Sequence, residues 1–257
     1  MLTFTIITCT YNAEQYIDRT LDSVLHQTYP YIEHLIIDGL SKDSTVGKAE
    51  AYARKQYETF PDRSVIIRSE KDRGLYDAMN KGISLASGDY LVFLNAGDIF
   101  KENSTLEDIS TQLAGTASAG VIYGDTDIVD EAGHFIRKRR LAPPEHLSWK
   151  SFKYGMLVCH QSFYASTEIA KAVCYNLDYK LSADVDWCIR IMKESEKRQQ
   201  PICNTHLTLC AYLEGGMSVK NHHASLKERF HIMAAHYGLL TTIAMHLWFV
   251  LRAVLKK

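Results

Sequence analysis

A chain of 257 residues with 46 % hydrophobic and 23 % charged residues has the balance of one large folded domain, or of one domain with a short appendage. Disordered, collagen-like and disulfide mini-protein classes are excluded by that composition. Lys plus Arg (29) against Asp plus Glu (30) leaves a net charge of −1, so the basic excess of a dedicated nucleic-acid binder is missing.

The six cysteines (Cys9, Cys159, Cys174, Cys188, Cys203 and Cys210) contain no CxxC pair, which predicts free thiols in a reducing compartment. Residues 1–10 lack the basic and long apolar regions of a signal peptide and read as a strand. The strand covers Phe4–Thr8. Asn12 and Gln15 have the spacing of a capping box for the helix that carries Tyr16, Ile17, Leu21, Val24 and Leu25 and ends before Pro30. Leu35–Ile37 reads as a second strand, Ser44–Tyr57 as a helix, Val65–Arg68 as a strand, Tyr76–Ala86 as a helix, and Tyr90–Leu94 as a fourth strand. In the second half Val121–Tyr123 and Ala211–Leu213 read as strands and Ala183–Lys193 as a helix. Leu226, Phe230, Met233 and Tyr237 repeat at helical spacing, and Leu239–Leu255 is strongly apolar apart from His246 and Arg252.

Strand alternating with helix is the pattern of parallel βαβ units with right-handed crossovers. Ligands in such sheets bind beyond the carboxyl ends of the strands. That rule selects Cys9–Asn12, Asp38–Ser41, Ser69–Gly74 and Asn95–Asp98 as a rim. In Asn95-Ala96-Gly97-Asp98, a carboxylate with an amide oxygen nearby offers hard ligands for Mg²⁺ or Mn²⁺, although the same residues are also common in turns. Asp38 can accept hydrogen bonds from a base or ribose, and Ser41, Asp43 or Ser44 can cap the following helix. Asp184 and Asp186 open a helix, where the dipole favours carboxylates. One of them can equally serve as a general base. Neither GxGxxG nor GxxxxGK[ST] occurs, which removes the main support for a Rossmann dehydrogenase or a P-loop NTPase.

Taken in order, the segments resemble family 2 glycosyltransferases of the GT-A fold, of the bacterial surface-polysaccharide type. The resemblance rests on Thr5–Asn12, Ser23–Pro30, Leu35–Gly39 with Ser41 and Asp43, Ser69–Gly82, Ala86–Tyr90 leading into Phe93–Asp98, Tyr123–Asp125, Cys159–Gln161, Ala183–Trp187, Arg190 and Gly215–Ser218. It implies an α/β fold: a Rossmann-like, mostly parallel central sheet with flanking helices and a C-terminal helical tail. It also implies a domain over residues 1–222, with a nucleotide-sugar half at 1–98 and an acceptor half at 99–222. Residues 223–257 form the tail.

The implied activity is inverting transfer from a nucleotide-diphospho-sugar, by default a UDP-sugar, to a hydroxyl of a glycan or lipid-linked saccharide. The implied cofactor is Mn²⁺ or Mg²⁺. Asp184 matches the base, and Thr10, Tyr11, Asp38, Arg73, Asp77 and Lys81 match the donor region. Asp98, with Asn95, matches the metal motif. His160, Gln161, Asp186 and Trp187 fall in the acceptor region. Two positions differ from many members. One carboxylate stands where they carry Asp-x-Asp-Asp, which leaves His222 or His223 as a further candidate ligand, and Gly39 replaces a second Asp after the second strand. The alternative reading is a non-catalytic GT-A-like module that binds glycan or partner proteins.

The stripe Leu240, Ile243, Leu247, Val250, Leu251 and Val254, with Trp248 and Lys256-Lys257 as anchors, suits an interfacial helix over 239–257. It suits a helix docked on this chain or on a second copy equally well. The expected location is cytoplasmic, and the interfacial reading of the tail, not the docked one, adds peripheral contact at the inner face of the cytoplasmic membrane. Arg137-Lys138-Arg139-Arg140 reads as a solvated basic strand, or as a surface for anionic headgroups or a diphosphate-lipid acceptor.

Overall fold

The computed structural model describes residues 1–115, 118–215 and 222–255. Its described residues include nine strands in one sheet, numbered here in chain order: β1 (Phe4–Thr10), β2 (Ile32–Asp38), β3 (Ser64–Ser69), β4 (Tyr90–Phe93), β5 (Ile99–Phe100), β6 (Val121–Val129), β7 (Phe135–Lys138), β8 (Phe163–Ser166) and β9 (Ile202–Leu213). The helices are α1 (Ile17–Leu25), α2 (Thr45–Thr59), α3 (Leu75–Leu85), α4 (Thr105–Leu113), α5 (Thr167–Ala172), α6 (Ala183–Lys197), α7 (His222–Tyr237) and α8 (Leu239–Leu255).

Strands lie in the order β3-β2-β1-β4-β8-β6-β9-β5, with β7 paired to β6. β3, β2, β1 and β4 are all parallel, as the βαβ reading expects. Beyond β4 the sheet becomes mixed. β8 runs antiparallel to both β4 and β6, and β9 runs parallel to β6 but antiparallel to β5.

Both faces of the sheet are covered, so its central strands are apolar on successive residues instead of every second one. Ile6, Ile36 and Val92 pack on one face with Ile17, Leu21 and Val24 of α1. Their neighbours Ile7, Ile37 and Phe93 pack on the other with Met79 of α3 and Trp187 of α6. α3 lies directly on β1 because residue 82 is glycine: a Cβ there would stand 2.5 Å from Ile7 Cγ2.

Asn12 does not cap α1. Its backbone is left-handed (φ 48°), a conformation its short amide tolerates. Its N–H donates to Ser41 Oγ and its Oδ1 accepts the Lys42 N–H, both at 2.8 Å. The amide thus binds the neighbouring loop, and α1 starts only at Ile17, with no side-chain cap and no capping box with Gln15. Of the three candidate caps of α2, Asp43 is the one whose carboxylate accepts the Thr45 N–H, at 3.0 Å.

The segment after residue 222 consists of two unlike pieces. α7 is docked, burying Ile232 and Met233. α8 leaves Leu239, Leu240, Leu247, Val250 and Leu251 half or more exposed. Among the described residues no helix is long and apolar enough to cross a membrane.

Candidate functional site

The parallel register sets Thr10 beside Asp38 and Asp38 beside Ser69 at the carboxyl edge of the sheet. Asp38 is 1 % exposed and fully engaged. Thr10 Oγ1 donates to it at 2.9 Å, Ser69 Oγ at 2.7 Å, the Ser41 N–H at 2.9 Å, and Ser41 Oγ as well. Burial alone would raise this carboxyl, but the bonds from Ser41, Ser69 and Thr10 outweigh it and hold it below its usual value. Asp38 therefore knits three strand-end loops together, and the exposed ring beside it belongs to Tyr11, at 65 %.

Gly39 has a steric reason. A Cβ there would lie 2.5 Å from Asp72 Oδ2 and 3.5 Å from Tyr11 Cδ2. The flexible end of Asp72 fills the space that a second acidic side chain at 39 would enter. Asp72 lies inside the rim segment Ser69–Gly74, but its sequence position carried no sign of this placement.

The same loop is tied to α3. Arg73 pairs with Asp77 at 2.9 Å, and Lys81 reaches Glu70 at 3.1 Å and the Lys71 carbonyl at 2.7 Å. Burial raises the Asp77 carboxyl, but its bonds to Arg73 and the charges of Arg73 and Lys81 hold it below its usual value. Arg73, Tyr76 and Asp77 share a small recess with Leu177, Tyr179 and Lys180, so this segment faces the loop that leads into α6.

Asp98 is 4 % exposed. Its Oδ2 accepts the Gln161 amide at 2.9 Å and its Oδ1 the Leu213 N–H at 3.0 Å. Burial pushes the carboxyl up to about 7, against the pull of the Leu213 and Gln161 bonds. On the same loop Asn95 Oδ1 is buried with no hydrogen-bond partner. Among the described residues no three His, Cys, Asp or Glu side chains cluster as a metal site. Of the further candidate ligands, the His222 side chain lies outside the described residues.

Asp184 sits in the first turn of α6, half-buried, and accepts the Val185 N–H at 3.0 Å and the Tyr76 hydroxyl at 3.5 Å. Behind it runs a stack of rings. Tyr76 stacks on Tyr175 with centroids 5.4 Å apart, Tyr175 on Trp187 at 4.8 Å, and Phe93 on His160 at 4.9 Å. His160 Nε2 bonds the Tyr175 hydroxyl, and burial lowers the imidazole to about 4. Trp187 is fully buried, and its indole N–H has no partner. His160, Gln161 and Trp187 therefore form the wall that links Asp98 to Asp184. Asp186 is likewise buried and is bonded by Arg190 Nε at 2.7 Å and His236 Nε2 at 2.8 Å. Burial raises its carboxyl, but His236 and Arg190 more than offset this and lower it.

Of the residues selected from sequence, the structure thus brings Thr10 and Asp38 together, Arg73 with Asp77, and Gln161 with Asp98, while the contact of Asp184 with Tyr76 was not foreseen. Gly215 of the last motif is described, whereas Gly216, Met217 and Ser218 lie outside the described residues, as do Lys256 and Lys257.

The Glycosyl transferase family 2 model matches residues 5–171. A PGL/p-HBAD biosynthesis glycosyltransferase of Mycobacterium tuberculosis is 31 % identical over 217 residues, covering 84 % of this chain and 78 % of the relative. S. aureus TarS 1-349, solved in complex with UDP-GlcNAc, superposes with a TM-score of 0.71 at 17 % identity, over 91 % of this chain. This chain spans 65 % of that TarS chain, less than two thirds of it. Glucosyl-3-phosphoglycerate synthase of Mycobacterium tuberculosis, solved with Mn²⁺, UDP and glucosyl-3-phosphoglycerate, gives a TM-score of 0.61 at 14 % identity, over 91 % of this chain and 79 % of that one.

Proposed function

The chain belongs to glycosyl transferase family 2 with the GT-A fold, and from that premise we propose an inverting transfer from a UDP-sugar to a hydroxyl of a glycan or lipid-linked saccharide. The observation that carries this reading is the convergence of the donor block and Asp184. The first turn of α3, which holds Asp77 and is tied to the loop of Arg73, and the helix turn holding Asp184 meet through the Tyr76 hydroxyl at 3.5 Å.

In this reading Asp184 takes the proton of the acceptor hydroxyl as its oxygen attacks the anomeric carbon from the face opposite the nucleotide. The bond to the diphosphate breaks in the same displacement, the diphosphate leaves with the bonding pair, and the configuration inverts. Thr10, Tyr11 and Asp38 surround the base and ribose, and Arg73, Asp77 and Lys81 border the nucleotide-sugar. His160, Gln161, Asp186 and Trp187 back the acceptor side as a wall.

The residues at 95 and 98 fit a hard divalent cation. Asn95 Oδ1 is a buried oxygen without a partner, Asp98 supplies one carboxylate, and such ions readily complete their shells with phosphate oxygens and water. Asn95 and Asp98 would hold Mn²⁺ or Mg²⁺, which supplies charge neutralisation for the departing diphosphate.

α8 supports a peripheral role at the inner face of an anionic membrane. Its exposed apolar residues recur along its length from Leu239 to Leu251, and residues 222–257 carry five of the chain's 29 Lys and Arg but one of its 30 Asp and Glu.

The test is Asp184→Asn, scored by UDP release from UDP-GlcNAc, UDP-glucose and other UDP-sugars, with GDP-mannose alongside, and by nucleotide-induced thermal stabilisation. Loss of roughly a hundredfold or more in turnover with nucleotide binding intact is expected of a lost general base. Turnover equal to wild type refutes the assignment.

A further inference from the structure

Asp184 is flanked two residues before and two residues after by side chains or backbone bonded to one distant helix, α7. On the near side, Glu228 Oε1 accepts the Lys180 N–H at 2.8 Å, and its Oε2 accepts the N–H groups of Leu181 at 2.8 Å and Ser182 at 2.9 Å. Ser182 stands at the N-cap position of α6, yet its hydroxyl makes no cap bond. It turns to Ser225 Oγ at 2.9 Å instead, and Arg229 Nε donates to it at 3.4 Å. On the far side, His236 Nε2 bonds Asp186 Oδ1, and Lys193 Nζ lies 3.0 Å from His236 Nδ1. Lys193, as an ammonium, can only donate, so Nδ1 accepts and Nε2 carries the proton donated to Asp186.

We propose that α7 is a brace for the catalytic turn, and that Glu228 is a positioning residue for Asp184. The inference rests on the assignment of Asp184 as the base. A backbone loop has no rigidity of its own, and three consecutive amides left to water would let residues 180–184 sample many conformations. One carboxylate accepting all three fixes the loop with charge-assisted bonds. Its two oxygens offer enough lone pairs for the task. A glutamine offers one acceptor oxygen and turns two N–H donors toward the same amides. Glu228 bonds the amides of residues 180–182 and is not among the residues lining the recess of Arg73, Tyr76 and Asp77, so its effect on the reaction passes through the placement of Asp184.

The experiment uses the full chain and Glu228→Gln, with Ser225→Ala as a milder break in the same brace. Hydrogen exchange across residues 180–186 is read first, followed by nucleotide release from UDP-GlcNAc with Mn²⁺ and water as acceptor. Faster exchange at residues 180–182 is expected, with turnover down about tenfold and KM for UDP-GlcNAc within about twofold of wild type, the signature of lost transition-state placement. In the Asp184→Asn background, Glu228→Gln should cause no further loss, because residues that act through one group are not additive. Unchanged exchange in Glu228→Gln overturns the brace. Faster exchange with unchanged turnover, or an equal loss in the Asp184→Asn background, overturns the positioning role. If Glu228→Gln does not fold, the same outcomes are read on Ser225→Ala. If Asp184→Asn alone keeps full turnover, the base assignment falls, while the exchange readings still decide whether the brace exists.

Discussion

The two halves of this molecule place their functional groups by different means. In the first, Thr10, Asp38 and Ser69 reach one another because three neighbouring parallel strands end side by side, so strand order alone delivers the contact. In the second, Gln161 and Leu213 reach back to Asp98 across a mixed sheet, and the turn of Asp184 is held by Glu228, 44 residues later. A rim made by topology tolerates drift in its loops. A site made by long-range ties depends on single side chains.

That contrast can be broken or sharpened experimentally. The largest effect is expected from Asp98→Ala. The substitution removes the carboxylate proposed to hold the cation and orphans the Gln161 amide and the Leu213 N–H. Turnover should fall by at least about a hundredfold, and stability should drop by about 2 kcal/mol or more in a urea titration, since unpaired buried donors are costly. A variant of native stability and activity would show that the ties of the second half are dispensable.

A smaller effect is expected at the rim. Asp72→Ala should raise KM for UDP-GlcNAc by about tenfold with kcat held, the pattern of lost uniform binding. Gly39→Asp in that background should restore it, because the side chain enters the space Asp72 vacates. Failure of the rescue would mean that the two carboxylates are not interchangeable there.

Acid should probe one buried histidine in each half. Burial lowers His34 to about 3 and His160 to about 4. Both folded values lie below the ordinary 6.5, so the neutral ring is stabilised in the folded state. Its contribution is whole above pH 6.5 and is lost as pH falls toward the folded value. At pH 5 each histidine should cost about 2 kcal/mol relative to pH 7, read as a falling midpoint in urea. Asp98, raised to about 7, takes up a proton over the same window and opposes this loss. His34→Gln and His160→Gln should therefore each shift the pH 5 to pH 7 difference by about 2 kcal/mol from wild type, and a difference unchanged in either assigns the acid sensitivity elsewhere.

The least effect on the fold is expected from Leu240→Asp with Leu247→Asp, since both residues are exposed. The melting temperature should stay within about 2 °C, as surface changes usually do little. Flotation with phosphatidylglycerol vesicles should be lost, and uncharged phosphatidylcholine vesicles should bind neither protein. A wild type that ignores anionic vesicles, or a variant that breaks a dimer instead, would refute the lipid-facing role of α8.

The first half was largely legible because its signals are local. Ile6-Ile7 and Leu35-Ile36-Ile37 are apolar on both faces of the sheet, and the rim follows from where such strands end. What stayed hidden has physical reasons. β5 is two residues long, and β7 is exposed throughout, so neither carries a periodicity to read. Asn12 gives the same residue signal as a helix cap and as a left-handed turn, and only the neighbouring loop decides between them. Asp38 was visible as a rim carboxylate, but its four donors were not. Glu228 belongs to no motif, and its partners are backbone amides, which every sequence has.

The brace also sets a clock. Chains emerge from the ribosome at roughly 5–20 residues per second. The 44 residues between Asp184 and Glu228 therefore take about 2–9 s to make. Throughout that interval the first four strands and their rim have already been translated, while the turn carrying Asp184 still lacks its clamp. Assembly of the parallel half thus has a head start over completion of the Asp184 turn.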